Sequence, residues 1–66
     1  MDNELIASRL KALRGDKSQQ EVAQAIGVTP MAISLYEAGE RIPRDEIKVK
    51  LAEYYHTTVD AIFFAV

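Results

Sequence analysis

Two short segments of the sequence concentrate basic side chains that suit contacts with phosphate groups. Segment 9–17 contains four basic residues and one acid, and segment 41–50 contains four basic residues and two acids. Such clusters favour a nucleic-acid partner, whereas the net charge of −2 argues mildly against one. The alternative interpretation is an ordinary mixed, solvated surface. The basic residues concerned are Arg9, Lys11, Arg14, Lys17, Arg41, Arg44, Lys48 and Lys50.

The sequence offers little to support enzymatic or metal chemistry. It has one histidine, His56, and no cysteine. No suitably spaced pair of acids accompanies His56, and there is no glycine-rich phosphate loop, nucleophile motif or HExxH motif. We therefore expect no catalytic activity, no cofactor, no metal site and no small-molecule ligand. His56 is expected to act at the end of a helix, where a histidine interacts favourably with the helix dipole.

The length of 66 residues predicts a single domain over 1–66. A chain this short buries only about 60% of its unfolded surface, so its stability depends on every apolar position. The N-terminus, MDNEL, carries acids where a secretory signal carries basic residues. No apolar run approaches the ~20 residues of a membrane-spanning helix. These features predict a cytoplasmic protein without a membrane segment.

Apolar periodicity and capping residues predict five short helices, and therefore an all-α fold. Helix 1 is predicted over 3–14, capped by Asp2 or Asn3 and ended by Gly15. Helix 2 begins with Ser18-Gln19-Gln20-Glu21, which has the sequence of a capping box.

The second half of the chain is predicted to contain two further helices and an apolar tail. Pro43 permits helix 4 to begin at residue 44 or 45, and this helix is expected to reach residue 55. Thr58 is the predicted cap of helix 5, in which Val59, Ile62 and Phe63 recur at helical spacing. We expect Phe63 in the core, and Phe64 and Val66 at an interface with a partner.

Residues 18–37 have the pattern of two helices joined by a tight turn, which is typical of helix-turn-helix proteins. Gly27 supplies the positive φ of the turn, and Thr29 followed by Pro30 is a favourable helix start. At 100° per residue, helix 3 buries one face and exposes another. The buried face is predicted to hold Ala32, Ile33, Tyr36 and Glu37, and the exposed face Met31, Ser34, Leu35 and Ala38. If this helix phase is wrong, Met31 and Leu35 instead belong to the core.

The chain resembles the XRE family of helix-turn-helix regulators, of the phage repressor and Cro type, over nearly its whole length. The resemblance depends on the combined spacing of several short motifs rather than on any one of them. They are Leu10, Leu13-Arg14, Ser18-Gln19-Gln20-Glu21-Val22-Ala23, Ile26-Gly27-Val28-Thr29, Ile33-Ser34, Tyr36-Glu37, Gly39, Pro43, Leu51-Ala52-Glu53-Tyr54-Tyr55 and Val59-Asp60-Ala61-Ile62-Phe63.

This resemblance implies a compact, five-helix, lambda-repressor-like DNA-binding domain. Its recognition helix would be Thr29–Ala38, lying in the major groove of double-stranded operator DNA. The family's base-facing positions fall on Pro30, Met31, Ser34 and Leu35, and its phosphate-backbone positions on Gln19, Thr29, Arg41 and Arg44. Arg14 and Glu37 occupy positions that form an ion pair in many relatives.

The function that the resemblance implies is transcriptional regulation, as a small, stand-alone repressor. Members of this class bind as two-fold dimers, which place two recognition helices about 34–36 Å apart. We expect a homodimer built on helix 5 and the tail, with Phe64 and Val66 at its interface.

Three features depart from the family pattern. The loop between Arg14 and Ser18 is two residues shorter than is common, and His56 stands where glycine is usual. The recognition face lacks the Arg, Asn or Gln that gives bidentate base readout. Sequence preference would therefore depend more on DNA shape than on direct base contacts. A second hypothesis is therefore a protein-interaction module, of antitoxin or antirepressor type, that uses Met31 and Leu35.

Overall fold

The structure is a computed structural model that describes residues 2–66, and its elements are helical. Four α-helices are followed by one π-helical turn near the C-terminus. The helices are α1 (Asn3–Arg14), α2 (Gln19–Ile26), α3 (Pro30–Glu37) and α4 (Asp45–Tyr54), and the turn spans Asp60–Phe64. The all-α prediction is confirmed. The predicted fifth helix is present as a π-helical turn, and α4 ends at Tyr54 rather than at residue 55.

Short polar side chains cap the N-terminal ends of three α-helices and of the C-terminal turn. Asp2 Oδ1 accepts from the backbone N–H of Leu5 at 3.1 Å, so Asp2 rather than Asn3 caps α1. The other three caps are Ser18 Oγ with Glu21 N, Thr29 Oγ1 with Ala32 N and Thr58 Oγ1 with Ala61 N, at 3.0, 3.1 and 3.0 Å. Each cap satisfies an N–H that has no partner within its own helix, which is typically worth ~1 kcal/mol.

Helices α3 and α4 end in the same backbone motif. After α3, Glu40 N donates to Leu35 O and Gly39 N donates to Tyr36 O, with Gly39 at φ 74°. After α4, the equivalent bonds run from Thr57 N to Ala52 O and from His56 N to Glu53 O. This is the Schellman motif, which needs a residue in the left-handed conformation. At the end of α4 that residue is His56, with φ 58°, at the position where glycine is usual in the family.

The hydrophobic core lies where α1 and α4 enclose the helix-turn-helix pair, α2 and α3. The packed element pairs are α2 with α3, α1 with α3, α2 with α4, and α1 with the C-terminal turn. The most completely buried large side chains of the core are Val22, Leu51 and Ile62. The rest of the core consists of Ile6, Leu10, Ala23, Ile26, Ala32, Ile33, Tyr36, Ile47, Ala52 and Phe63. Each buried Leu or Ile contributes about 1.5–3 kcal/mol, so this cluster is the main stabilising term.

Two cationic side chains hold the C-terminal turn against the body of the domain. Arg9 Nη1 donates to the backbone oxygen of Ile62 at 3.0 Å. The buried Lys48 of α4 places its ammonium 5.7 Å from the ring centre of Phe63 and 5.4 Å from that of Phe64. A cation over an aromatic face at this distance is attracted by the ring quadrupole. The turn is therefore fixed by tertiary contacts with both α1 and α4.

Replacing His56 with glycine should stabilise the domain. His56 is the only residue other than glycine with positive φ in the range 2–66. Removing its Cβ relieves a strain of about 1 kcal/mol. The greater entropy of the unfolded chain with glycine offsets about 0.5 kcal/mol of that gain. The net stabilisation of about 0.5 kcal/mol would raise the Tm by about 2–4 °C in a thermal melt followed by circular dichroism.

The matched control is Asp16→Gly, in an exposed turn whose φ is not positive. This variant's free energy of unfolding should fall by about 0.5 kcal/mol, because glycine increases the entropy of the unfolded chain without relieving strain. An equal effect of the two substitutions would contradict the assignment of strain to His56.

Candidate nucleic-acid interface

A buried carboxylate fixes the position of α3 relative to α1 and α2. Glu37, at the end of α3, accepts from Arg14 Nε at 2.8 Å and from Arg14 Nη2 at 3.0 Å. The side chain of Glu37 is 4% exposed and that of Arg14 is 20% exposed. The predicted ion pair is thus present and bidentate, a geometry that adds directional specificity to the charge attraction.

Two further contacts extend this network to the start of α2. Gln19 Nε2 donates to Glu37 Oε1 at 3.2 Å, and Arg14 Nη1 donates to the backbone oxygen of Lys17 at 2.7 Å. The second bond holds the short loop between α1 and α2. The network therefore joins α1, the loop, the first residue of α2 and the last residue of α3.

Tyr55 lies next to this network and stays neutral. Burial, and secondarily the negative charge of Glu37, raise the pKa of Tyr55 to about 12. Because an ordinary phenol is already neutral at neutral pH, the raised pKa only moves the ionisation of Tyr55 to more alkaline conditions.

The exposed face of α3 is predominantly apolar, as its predicted phase requires. Met31 is 66% exposed, Pro30 and Ala38 are also exposed, and Ser34 and Leu35 are half-buried. Ala32, Ile33, Tyr36 and Glu37 are buried. The alternative phase, with Met31 in the core, is wrong. This face can offer methyl and thioether groups and one hydroxyl to a partner surface.

The four residues predicted to contact a phosphate backbone differ in exposure and in the hydrogen bonds they already make. Arg41 and Arg44 are exposed, and Arg44 Nη2 lies 3.3 Å from the exposed carboxylate of Glu46. The hydroxyl of Thr29 is occupied as the cap of α3, and the amide of Gln19 is half-buried against Glu37. Arg41 and Arg44 are the two charged members of this set, and both expose their side chains to solvent.

Three residues of the basic clusters serve the fold rather than the surface. Arg9 binds the backbone oxygen of Ile62, Arg14 pairs with Glu37, and Lys48 is buried beside Phe63. The charge count of each segment therefore overstated its free positive charge. Lys11, by contrast, is exposed and lies with Gln19 and Ser34 around one depression beside α3. Lys11 belongs to the basic cluster 9–17, but no sequence motif relates α1 to the outer face of α3, so its position there could not be predicted.

The predicted interface residues Phe64 and Val66 are exposed. Phe64 is 54% exposed, although Lys48 lies against its ring, and Phe63 is buried in the core as predicted. An open groove separates the C-terminal segment from the start of α1, lined by Asp2, Leu5, Ile6, Arg9, Phe63, Phe64, Ala65 and Val66. This groove has mainly apolar walls.

Residues 2–66 contain no group of three or more His, Asp or Glu side chains placed to hold a metal ion. In the same range, no helix has the length and apolar character required to cross a membrane.

Removing the charge of Glu37 should destabilise the domain. Glu37→Gln retains the shape and an acceptor, but leaves the guanidinium of Arg14 partly buried without its countercharge. Breaking a fully buried pair costs about 3–5 kcal/mol, and the 20% exposure of Arg14 reduces our expectation to about 2 kcal/mol. Urea denaturation followed by circular dichroism measures this loss.

Glu40→Gln is the matched control, because Glu40 is an exposed acid in the same part of the chain. This variant should change the unfolding free energy by less than about 0.5 kcal/mol. If Glu37→Gln were as stable as Glu40→Gln, the ion pair would not be a structural constraint.

Comparisons with known proteins agree with this architecture. A family model described as Helix-turn-helix matches residues 9–62. Among solved structures, the chain is similar to the P22 c2 repressor protein, crystallised in complex with the synthetic operator 9T in the presence of Tl+. The two share 26% sequence identity over 91% of this chain and 94% of that chain, with a TM-score of 0.88. No match was found among curated proteins.

The matched region contains all four α-helices except the first six residues of α1, together with most of the C-terminal turn. It includes the caps, the turn at Gly27 and the Arg14–Glu37 pair that hold α2 and α3 in place. The chain therefore belongs to the XRE-type helix-turn-helix family.

Proposed function

We propose that this chain is a transcriptional repressor that binds double-stranded operator DNA through α3. The main support is the likeness to a repressor that was crystallised with its operator, combined with an exposed α3 face that the domain leaves uncovered. A repressor acts where the DNA is, so a cytoplasmic location is part of the proposal. No catalytic activity is assigned to the chain.

In this proposal, α3 lies in the major groove with its apolar face toward the base edges. Met31 and Leu35 would contact thymine methyl groups, and the Ser34 hydroxyl would bond to either type of base. These contacts discriminate less sharply than a bidentate Arg or Gln, so groove width and DNA flexibility would supply part of the preference. Pro30 would face the bases at the start of the helix.

Backbone phosphates would be held on both sides of α3. Arg41 and Arg44 would reach one strand from the α3–α4 loop, where both are exposed. Gln19 and the N-terminal N–H groups of α2 would face the other strand, since a helix N-terminus favours an anion. Thr29 would add a phosphate contact at the start of α3 by donating its hydroxyl proton, while its oxygen keeps the cap bond from Ala32 N.

A homodimer is the second component of the proposal. Phe64 and Val66 expose apolar surface, and the mainly apolar groove beside them would receive side chains of a second copy. Covering this surface would remove apolar area from water, which favours association. A two-fold axis at this end of the domain would present two α3 helices to successive major grooves.

Duplex binding should weaken steeply with salt, and Arg44→Ala should weaken it on all sequences alike. The log–log slope of affinity against salt is expected near −0.9 for each phosphate contacted. Fluorescence anisotropy with a labelled duplex measures both quantities. Glu46→Ala is the control, because it removes the acid paired with Arg44 and should leave binding equal or stronger. Absence of duplex binding at low salt would contradict the proposal and favour the protein-interaction alternative.

Leu35→Ala and Ser34→Ala should alter sequence preference rather than overall affinity. Selection of bound sequences from a random duplex pool should show a preference reduced by about 1 kcal/mol at the contacted base pairs. Val49→Ala, an exposed apolar residue on α4, is the control and should select the same sequences as the unmodified chain. An equal loss of affinity on every sequence would contradict the base-facing assignment. A palindromic selected sequence would support the dimer, and a single half-site would contradict it.

A further inference from the structure

A shallow depression lies beside α3, at the junction of α1, α2 and α3. Its volume is ≈ 400 Å³, and it is lined by Lys11, Arg14, Gln19, Ser34, Glu37 and Ala38. Two of these residues, Gln19 and Ser34, are already part of the proposed DNA contact. Of the other polar members, Lys11 and Arg14 come from α1, and Glu37 is the last residue of α3.

The charge balance of this depression favours an anion. The only acid that lines it is Glu37, whose carboxylate is 4% exposed and already accepts three hydrogen bonds from Arg14 and Gln19. Lys11 is exposed, and it takes part in none of the ion pairs found among residues 2–66. The positive charge left at the rim is therefore that of Lys11, with a hydroxyl and an amide beside it.

We infer that Lys11 contacts a DNA backbone phosphate that seats in this depression. The inference rests on the proposed function, and it extends the backbone contacts from α2 to α1. A phosphate there would lie beside the N-terminal end of α2, where Gln19 is the first helical residue. A flexible ammonium on a four-carbon stem suits such a phosphate, because it neutralises charge without demanding one geometry.

A phosphate contact from Lys11 also explains how a chain with a net charge of −2 can bind DNA at the depression between α1, α2 and α3. Arg14 is committed to Glu37 and to the backbone oxygen of Lys17, so its guanidinium is largely used within the domain. Without Lys11, the depression would offer a phosphate only neutral donors and a guanidinium whose charge is already balanced. A neutral donor releases no counterion, and so adds little to salt-dependent affinity.

The test uses the full chain and a labelled, mixed-sequence duplex of about 20 base pairs, which spans two helical turns. Binding is followed by anisotropy across a salt series for the unmodified chain and for Lys11→Gln, Lys11→Arg and Lys50→Gln. Lys50 is an exposed lysine on α4, in a different depression with Gln24 and Tyr54, so its variant makes the same change in net charge away from α3. Circular dichroism melts establish that all four proteins are folded.

Lys11→Gln should reduce the steepness of the log–log salt slope by about 0.9 for each bound copy of the chain, while Lys50→Gln leaves it unchanged. Lys11→Arg should restore the slope. Equal slopes for Lys11→Gln and the unmodified chain would overturn the inference, as would equal reductions in Lys11→Gln and Lys50→Gln, which would show a general charge effect. Failure of the unmodified chain to bind duplex would instead overturn the proposed function, so the two failures are distinguishable.

Discussion

The buried carboxylate of Glu37 is the constraint on which the arrangement of the first three helices depends. Two N–H groups of Arg14 and one of Gln19 converge on it, so three helices meet at a single charge. A buried charge that loses its partners is costly, because the interior cannot replace the lost hydration. The position of α3 relative to α1 and α2 is therefore set by charge as well as by packing. The hydrogen bond from Arg14 to Lys17 O extends this constraint through the short loop between α1 and α2.

Much of the fold could be predicted from the sequence, because its signals are local. Asp2 and Gly15 mark the two ends of α1, Thr29 and Pro30 mark the start of α3, and the apolar spacing in α3 gives its buried face. The π-helical turn could not be predicted in the same way. The turn is contacted by Arg9 of α1 and Lys48 of α4, and apolar spacing in the sequence does not reveal such tertiary contacts.

The candidate interface was only partly predictable, for a related reason. The exposed face of α3 followed from helix periodicity, and the family resemblance placed Arg41 and Arg44 near it. The burial or exposure of each basic residue could not be predicted, because a lysine in a sequence looks the same whether it is buried or solvated. Lys48 proved to be buried, whereas Lys11 lies exposed beside the outer face of α3. The C-terminal turn packs Phe63 and Phe64 against Lys48, whereas the packing of α1 on α3 leaves Lys11 at the surface.

The contact between Arg9 and Ile62 joins positions 53 residues apart, and this separation has a consequence for synthesis on the ribosome. The pair α2 and α3 is close in sequence, so it can pack soon after it emerges. Helix α1 emerges first, yet its last neighbour, the C-terminal turn, emerges after every other element. Until then the apolar stripe of α1 stays partly uncovered. The nascent chain must therefore delay its final closure, and that delay is the period in which misfolding or capture by a chaperone competes with folding.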